Sequence, residues 1–170
     1  TAVCHCPSSN MRLGSGIARV AEMIQRGITV SLAVDGSASN DSSDFLGEMR
    51  QALLLQRVRS GADALTVPQV FALAVAGGHK VLGFLEIGRI QEGWGADLAL
   101  FDVQGLEFAG ALTDPLGALL LAGISHRAAW TIVNGRVVVE QGRLTGVDEA
   151  ALVTRANALA ARLQARTSAP

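Results

Sequence analysis

Asp35 is the carboxylate of this sequence best placed to do chemistry. It closes the run Ile28-Thr-Val-Ser-Leu-Ala-Val-Asp35 and opens the small polar loop Gly36-Ser-Ala-Ser-Asn-Asp-Ser-Ser43. An apolar, β-branched run that turns polar only at its end reads as a parallel strand covered on both faces. Val30, Leu32 and Val34 would share one face, with Thr29, Ser31 and Ala33 on the other. In α/β proteins reacting groups sit at the carboxyl ends of such strands, which makes Asp35 a candidate functional residue. Asp-Gly is also an ordinary turn former, and that role accounts for Asp35 equally well. Ser37 lies close enough to the strand end to meet a substrate.

The other groups with chemical potential are weaker candidates. Cys4, His5 and Cys6 are three residues of metal-binding types, but adjacent strand residues point to opposite faces. They cannot converge without distortion, and zinc sites need three or four convergent ligands. The two cysteines point the same way and are poorly placed to pair, so a reducing cytoplasm is the expected compartment. Leu13-Gly-Ser-Gly16 before a helix could cradle a phosphate. No Lys-Ser/Thr follows, so the P-loop pattern is missing and a steric role for the glycines is the simpler reading. His79 reads as a helix-end cation, and His126 as an exposed loop residue.

The elements that must position these residues follow from periodicity. Thr1-Ala-Val-Cys-His-Cys6 is the end of a strand that Pro7-Ser-Ser-Asn10 breaks. Ile17, Val20, Met23 and Ile24 repeat at helical spacing up to Gly27. With the strand ending at Asp35 they form a βαβ unit with parallel strands. Ser43 is expected to cap a helix to about Val58, with Leu46, Met49, Leu53 and Gln56 to Val58 as its stripe. Asn40 and Asp41 would order the preceding loop or help that cap. Thr66-Val-Pro68-Gln69 is a capping-box pattern opening a third helix, which Gly77-Gly78 should halt, with His79 to Leu82 as one more turn.

Beyond residue 86 the character changes. Ala96 to Asp102 reads as a strand, Asp114-Pro115 as the cap of a short apolar helix, and Ala129 to Glu140 as a hairpin turning at Asn134-Gly135. Asp148 caps a last helix to about Arg166, with Leu152, Leu159 and Leu163 as its stripe. This predicts units at 1–86, 87–145 and 146–170.

Composition narrows the function classes. The 170 residues carry a formal net charge of −1, with 17% charged and 49% hydrophobic side chains. Near-neutral charge without a basic run argues against nucleic acid. Aromatics at 4% and the absence of tyrosine leave no stacking platform for bases. Mean hydropathy is +0.35, yet no apolar run approaches the roughly 18 residues that span a bilayer. No targeting segment is visible. The excess apolarity, with too few strands to close a sheet, suggests the carboxyl-terminal part of a larger protein, its surface meant for another segment.

Two stretches add a resemblance. His5-Cys-Pro-Ser-Ser-Asn-Met-Arg-Leu-Gly-Ser-Gly-Ile17 and Val34-Asp-Gly-Ser-Ala-Ser-Asn-Asp-Ser42 are similar to the end of an amidohydrolase-superfamily barrel. The branch most similar is that of 8-oxoguanine deaminases and hydroxyatrazine-type aminohydrolases. Gly93 to Asp102 and Ile132 to Val139 resemble the small β-sandwich that accompanies such barrels. The family usually has Pro where Arg19 stands and Lys where Trp94 stands, which touches nothing catalytic.

The resemblance implies an α/β chain: the last two βα units of a (β/α)8 TIM-like barrel, part of a small β-sandwich domain and a C-terminal helix. Asp35 would match the eighth-strand aspartate that ligates a divalent metal, zinc or else iron, and would carry the proton of a metal-activated water. Ser9 and Asn10 would line the pocket mouth as substrate contacts, although Ser and Asn in a turn also bond their own backbone. The implied enzyme is a hydrolase of C–N bonds other than peptide bonds. It would deaminate a purine-like (8-oxoguanine or guanine) or triazine ring, and a homo-oligomer is expected. The family's histidine ligands fall at positions this chain does not contain, so activity would require the missing N-terminal half. The competing expectation is a non-catalytic relic or interaction domain that docks on a partner.

Overall fold

A computed structural model describes residues 1–123 and 127–167; the expectation for His126 falls outside them. The chain is α/β. It opens with β1 (Ala2–His5), α1 (Pro7–Arg12), α2 (Val20–Gln25) and β2 (Thr29–Leu32). β1 and β2 pair in parallel with His5 opposite Leu32, and the Ala33 N–H extends the ladder by donating to the His5 carbonyl at 3.0 Å. The expected βαβ unit is present, with one correction. Pro7 starts a helix instead of ending a strand in a loop, because proline in the first turn lacks only an N–H that would have no helical partner. The helix predicted around Ile17 to Gly27 is correspondingly shorter and begins at Val20.

α3 (Phe45–Ser60) follows the polar loop. Its cap is Asp44, whose carboxylate accepts from the Gly47 N–H at 2.9 Å, and not the predicted Ser43, which sits in the left-handed region at φ 48°. Leu46, Met49 and Leu53 are buried as expected, whereas Val58 is 79% exposed. In its place the stripe continues through Gln56, which is fully buried. Gln56 Nε2 donates to the Ala18 carbonyl at 2.9 Å, and Oε1 accepts from the Ala21 N–H at 3.2 Å, tying α3 to the start of α2.

Thr66 and Gln69 form the predicted capping box of α4 (Val67–Ala72). The chain does not halt at the glycine pair. It passes through a π turn, Leu73–Gly77, into α5 (Gly78–Leu82). Gly77 serves packing: a Cβ there would lie 2.1 Å from the Val30 carbonyl oxygen and 3.1 Å from Ser31 Cα. His79 Nδ1 lies 3.0 Å from the Phe84 carbonyl just beyond α5. The core cluster is made of Val20, Val30, Leu32, Leu46, Met49, Ala52, Leu53, Leu65, Val70 and Leu73, joined from the second half by Leu120.

No helix or strand lies between Leu82 and Leu98 among the described residues. β3 (Leu98–Leu100) is shorter than the predicted 96–102. α6 (Pro115–Gly117) is capped by Asp114, which accepts from the Gly117 N–H at 3.0 Å. β4 (Trp130–Val133) and β5 (Arg136–Glu140) form the predicted hairpin, with Asn134 and Gly135 both at positive φ. With β6 (Arg143–Leu144) they make a four-stranded antiparallel sheet in the order β3-β4-β5-β6. α7 (Glu149–Thr167) closes the described chain, and Asp148 accepts from the Ala151 N–H at 3.0 Å. The stripe of α7 faces outward, with Leu152, Leu159 and Leu163 exposed. No helix among the described residues is long and apolar enough to cross a membrane.

Candidate functional site

The parallel ladder of β1 and β2 points both strands the same way, so the chain leaves them side by side at their carboxyl ends. From β1 the chain runs directly into α1, which carries Ser9. From β2 it runs through Ala33 and Val34 to Asp35. Ser9 is buried, and its Oγ donates to Asp35 Oδ2 at 2.6 Å. The carboxylate also accepts the Gly36 N–H on Oδ1 at 2.8 Å. Ser39 Oγ lies 3.0 Å from Oδ2 and 3.1 Å from the Gly36 carbonyl, so its single proton is divided between them.

Asp35 sits at φ 66°, a left-handed conformation that aspartate tolerates better than most residues but still at some cost. Its carboxylate is solvent-exposed. The Ser9 hydroxyl first, then the Gly36 N–H and Ser39, hold its pKa below the ordinary aspartate value. It is therefore a charged, acceptor-only group at neutral pH. A carboxylate offers about four lone-pair sites, and the three donors leave room for one cation contact. That donor set suits one ligand of a divalent metal. No group of three or more His, Cys, Asp or Glu side chains arranged to hold a metal occurs among the described residues.

The remaining candidates separate around this centre. Asn10 follows Ser9 on α1, turned about 100° away from it around the helix axis, and is half-buried. Ser37 is exposed; the loop hydroxyl that reaches the carboxylate is Ser39 instead. His5 is buried at the end of β1 while Cys4 is exposed. Its Nε2 has no hydrogen-bond partner. Burial lowers the His5 pKa against the opposing pull of Glu48, so the ring is neutral at physiological pH. Burial first, then Cys4, Asp35 and Glu48, push the Cys6 thiol up to about 11. A thiol so protonated is neither a nucleophile nor a ready ligand at neutral pH.

Two residues complete the surroundings: Glu48, which the sequence pattern does not single out, and Asn40, which orders this loop as the sequence predicts. Glu48 on α3 is only 1% exposed and accepts from the Ser8 N–H at 3.0 Å. Asn40 donates to Glu48 Oε1 and to the Val34 carbonyl, each at 2.8 Å, and so orders the loop after β2. Arg12 at the end of α1 pairs with Asp41 of the same loop across an exposed salt bridge. A separate cavity of about 890 Å³ opens at the start of α3, lined by Asp44, Phe45, Phe71, Val75, Asp97 and Phe101 among others, and Asp35 does not border it.

A parallel strand pair that delivers an ionised aspartate to its carboxyl end, backed by a Ser from the preceding loop-helix, belongs to a known class. The amidohydrolase family profile matches residues 1–142, and the chain is a member of that family. It is 47% identical over 163 residues to an 8-oxoguanine deaminase of Pseudomonas aeruginosa, an alignment covering 96% of this chain and 36% of that one. A zinc-bound adenosine deaminase of Xanthomonas campestris superposes with a TM-score of 0.90 at 32% identity, covering 96% of this chain and 38% of the other. A zinc complex of the atrazine chlorohydrolase of Arthrobacter aurescens gives 0.86 at 33%, covering 93% and 35%. The chain thus spans little more than a third of the length of these relatives.

Proposed function

We propose that this chain is the carboxyl-terminal portion of a metal-dependent aminohydrolase. In that reading residues 1–86 are the last two βα units of a (β/α)8 barrel, residues 87–145 are strands of a small β-sandwich, and residues 146–170 form a terminal helix. The reaction would be hydrolytic removal of an exocyclic amino group from a purine-like ring, 8-oxoguanine or guanine, with a triazine as the alternative. The similarity to an 8-oxoguanine deaminase supports the first ring. Zinc in both solved relatives supports zinc as the metal.

The observation that carries the proposal is the Ser9–Asp35 pair at the ends of two parallel strands. Asp35 would be one ligand of the metal, and the others would come from polypeptide outside these 170 residues. A bound divalent metal would supply Lewis-acid activation of the attacking water. Asp35 would take the water's proton on a carboxylate oxygen and deliver it to the departing ammonia. Ser9 on Oδ2 and the Gly36 N–H on Oδ1 would keep the carboxylate aimed while they lower its basicity, so that the proton is passed on and not retained. Asn10 and Ser37 are the proposed substrate contacts, since the Ser9 hydroxyl is already committed to Asp35.

The test uses the complete enzyme. Asp35→Asn should abolish ammonia release from 8-oxoguanine, a loss of at least about 10³-fold in kcat/KM, which is about 4 kcal/mol of transition-state stabilisation. Zinc content measured on the same preparation should fall. Full activity in the variant, or a zinc-loaded wild type that releases no ammonia from any aminated purine or triazine, would leave a docking module as the reading.

A further inference from the structure

α3 carries two buried polar side chains, Glu48 and Gln56, both hydrogen-bonded across to other elements. Gln56 holds the start of α2, far along the helix from Asp35. Glu48 does something different. Its Oε2 accepts from the Ser8 N–H, and its Oε1 accepts from Asn40, whose same Nδ2 group donates to the Val34 carbonyl. Asn40 is itself buried, and its Oδ1 accepts from the Ser42 hydroxyl at 3.0 Å.

Ser8 is the neighbour of Ser9, and Val34 is the neighbour of Asp35. One carboxylate on a rigid helix therefore reaches, directly or through one amide, the residue beside each member of the Ser9–Asp35 pair. No Lys or Arg pairs with Glu48 among the described residues, so these N–H donors are what it has in exchange for water. A buried carboxylate so placed is costly unless its oxygens are filled, and here one oxygen takes a donor from the first turn of α1 and the other a donor from the loop after β2.

We propose that Glu48 is a positioning residue that clamps the β1–α1 junction to the loop after β2, and thereby sets the distance between Ser9 and Asp35. The inference deepens the aminohydrolase reading and rests on it. The clamp requires an acceptor at both ends. A Gln at 48 would offer one acceptor and turn an N–H₂ group toward the other donor. An Asp keeps the carboxylate but is one carbon too short to reach both α1 and the loop after β2.

The experiment compares Glu48→Gln, Glu48→Asp and Gln56→Leu in the complete enzyme. Four quantities are read: kcat and KM for ammonia release from 8-oxoguanine, zinc retained after dialysis against a chelator, thermal midpoint, and amide exchange by mass spectrometry. Both Glu48 variants should lower kcat at least tenfold with KM within about twofold. They should also retain less zinc and exchange at least tenfold faster at the Ser8 amide and in the 36–42 loop. Gln56→Leu should lower the thermal midpoint and speed exchange at Ala21 while leaving kcat unchanged. If a Glu48 variant keeps wild-type kcat, or Gln56→Leu loses kcat by the same factor, Glu48 is only part of the packing and the proposal is wrong. Should Glu48→Gln fail to fold, Glu48→Asp decides on the same criteria. A wild type with no deaminase activity would overturn the functional reading, and the exchange of Ser8 and the 36–42 loop would then judge the clamp by itself.

Discussion

Leu53 and Leu163 both stand on the apolar stripe of a long helix, yet Leu53 is fully buried and Leu163 is 64% exposed. α3 has α1 and α4 to pack beside, and its stripe became the middle of the core. α7 has the same kind of stripe, and its leucines meet solvent. The contrast extends to the two halves of the molecule: all but one of the core-cluster residues precede Leu82, while the antiparallel sheet keeps most of its side chains half or wholly exposed. A periodic apolar stripe thus specifies that a helix has a face to cover. What covers it is decided by the rest of the fold.

The contrast can be broken most forcefully in the first half. Leu53→Ala removes a fully buried side chain from close packing, and the cavity it leaves should cost about 3 kcal/mol, read as a lowered denaturation midpoint. A smaller effect should follow from pH. Burial disfavours the His5 cation, so the unfolded chain takes up its proton near the ordinary value of 6.5 before the folded chain does. Stability should fall as the pH drops below about 6.5 and level off once it passes the lower folded pKa. Asp35 works in a separate window: its lowered pKa gives stability that is present above the ordinary aspartate value and lost only as acid protonates the folded carboxylate. Denaturant titrations at about pH 7.5 and about pH 5 should therefore differ in the wild type and converge in His5→Gln. The smallest effect belongs to α7. Leu163→Ala should change the stability of this chain by less than about 0.5 kcal/mol, since an exposed side chain has little packing to lose. A loss as large as that of Leu53→Ala would erase the distinction between the two helices.

Much of this arrangement could be read along the chain because its signals are local. The Thr66–Gln69 box, the Asp114 cap and the Asn134-Gly135 turn each depend on residues within a few positions of one another, and the parallel pair, though it joins Ala2 to Thr29, follows from strand and helix signals that are each local. The misreadings have a common cause. Pro7 was expected to stop regular structure, although proline also begins helices. Gly77-Gly78 was expected to end one, although the glycine is needed where the chain touches β2. Ser43 and Asp44 are both good caps, and the backbone chose the second. Glu48 and Ser39 were invisible for a stronger reason. Glu48 matters through Ser8, forty positions earlier, and a glutamate in a helix otherwise looks like surface. Ser39 reaches Asp35 only because the turn at Gly36 carries its hydroxyl back to the carboxylate.

The contact at Gly77 bears on the aspartate as well. Where helix and strand meet through side chains, a rotamer can absorb a small displacement, but here main chain rests on main chain within the space a single methyl would need. Movement of the π turn must therefore be handed on to Val30 and Ser31, in the strand that leads to Asp35. The carboxylate is seated by a joint with no slack, so its aim is governed from behind the strand as well as by the hydroxyls in front of it.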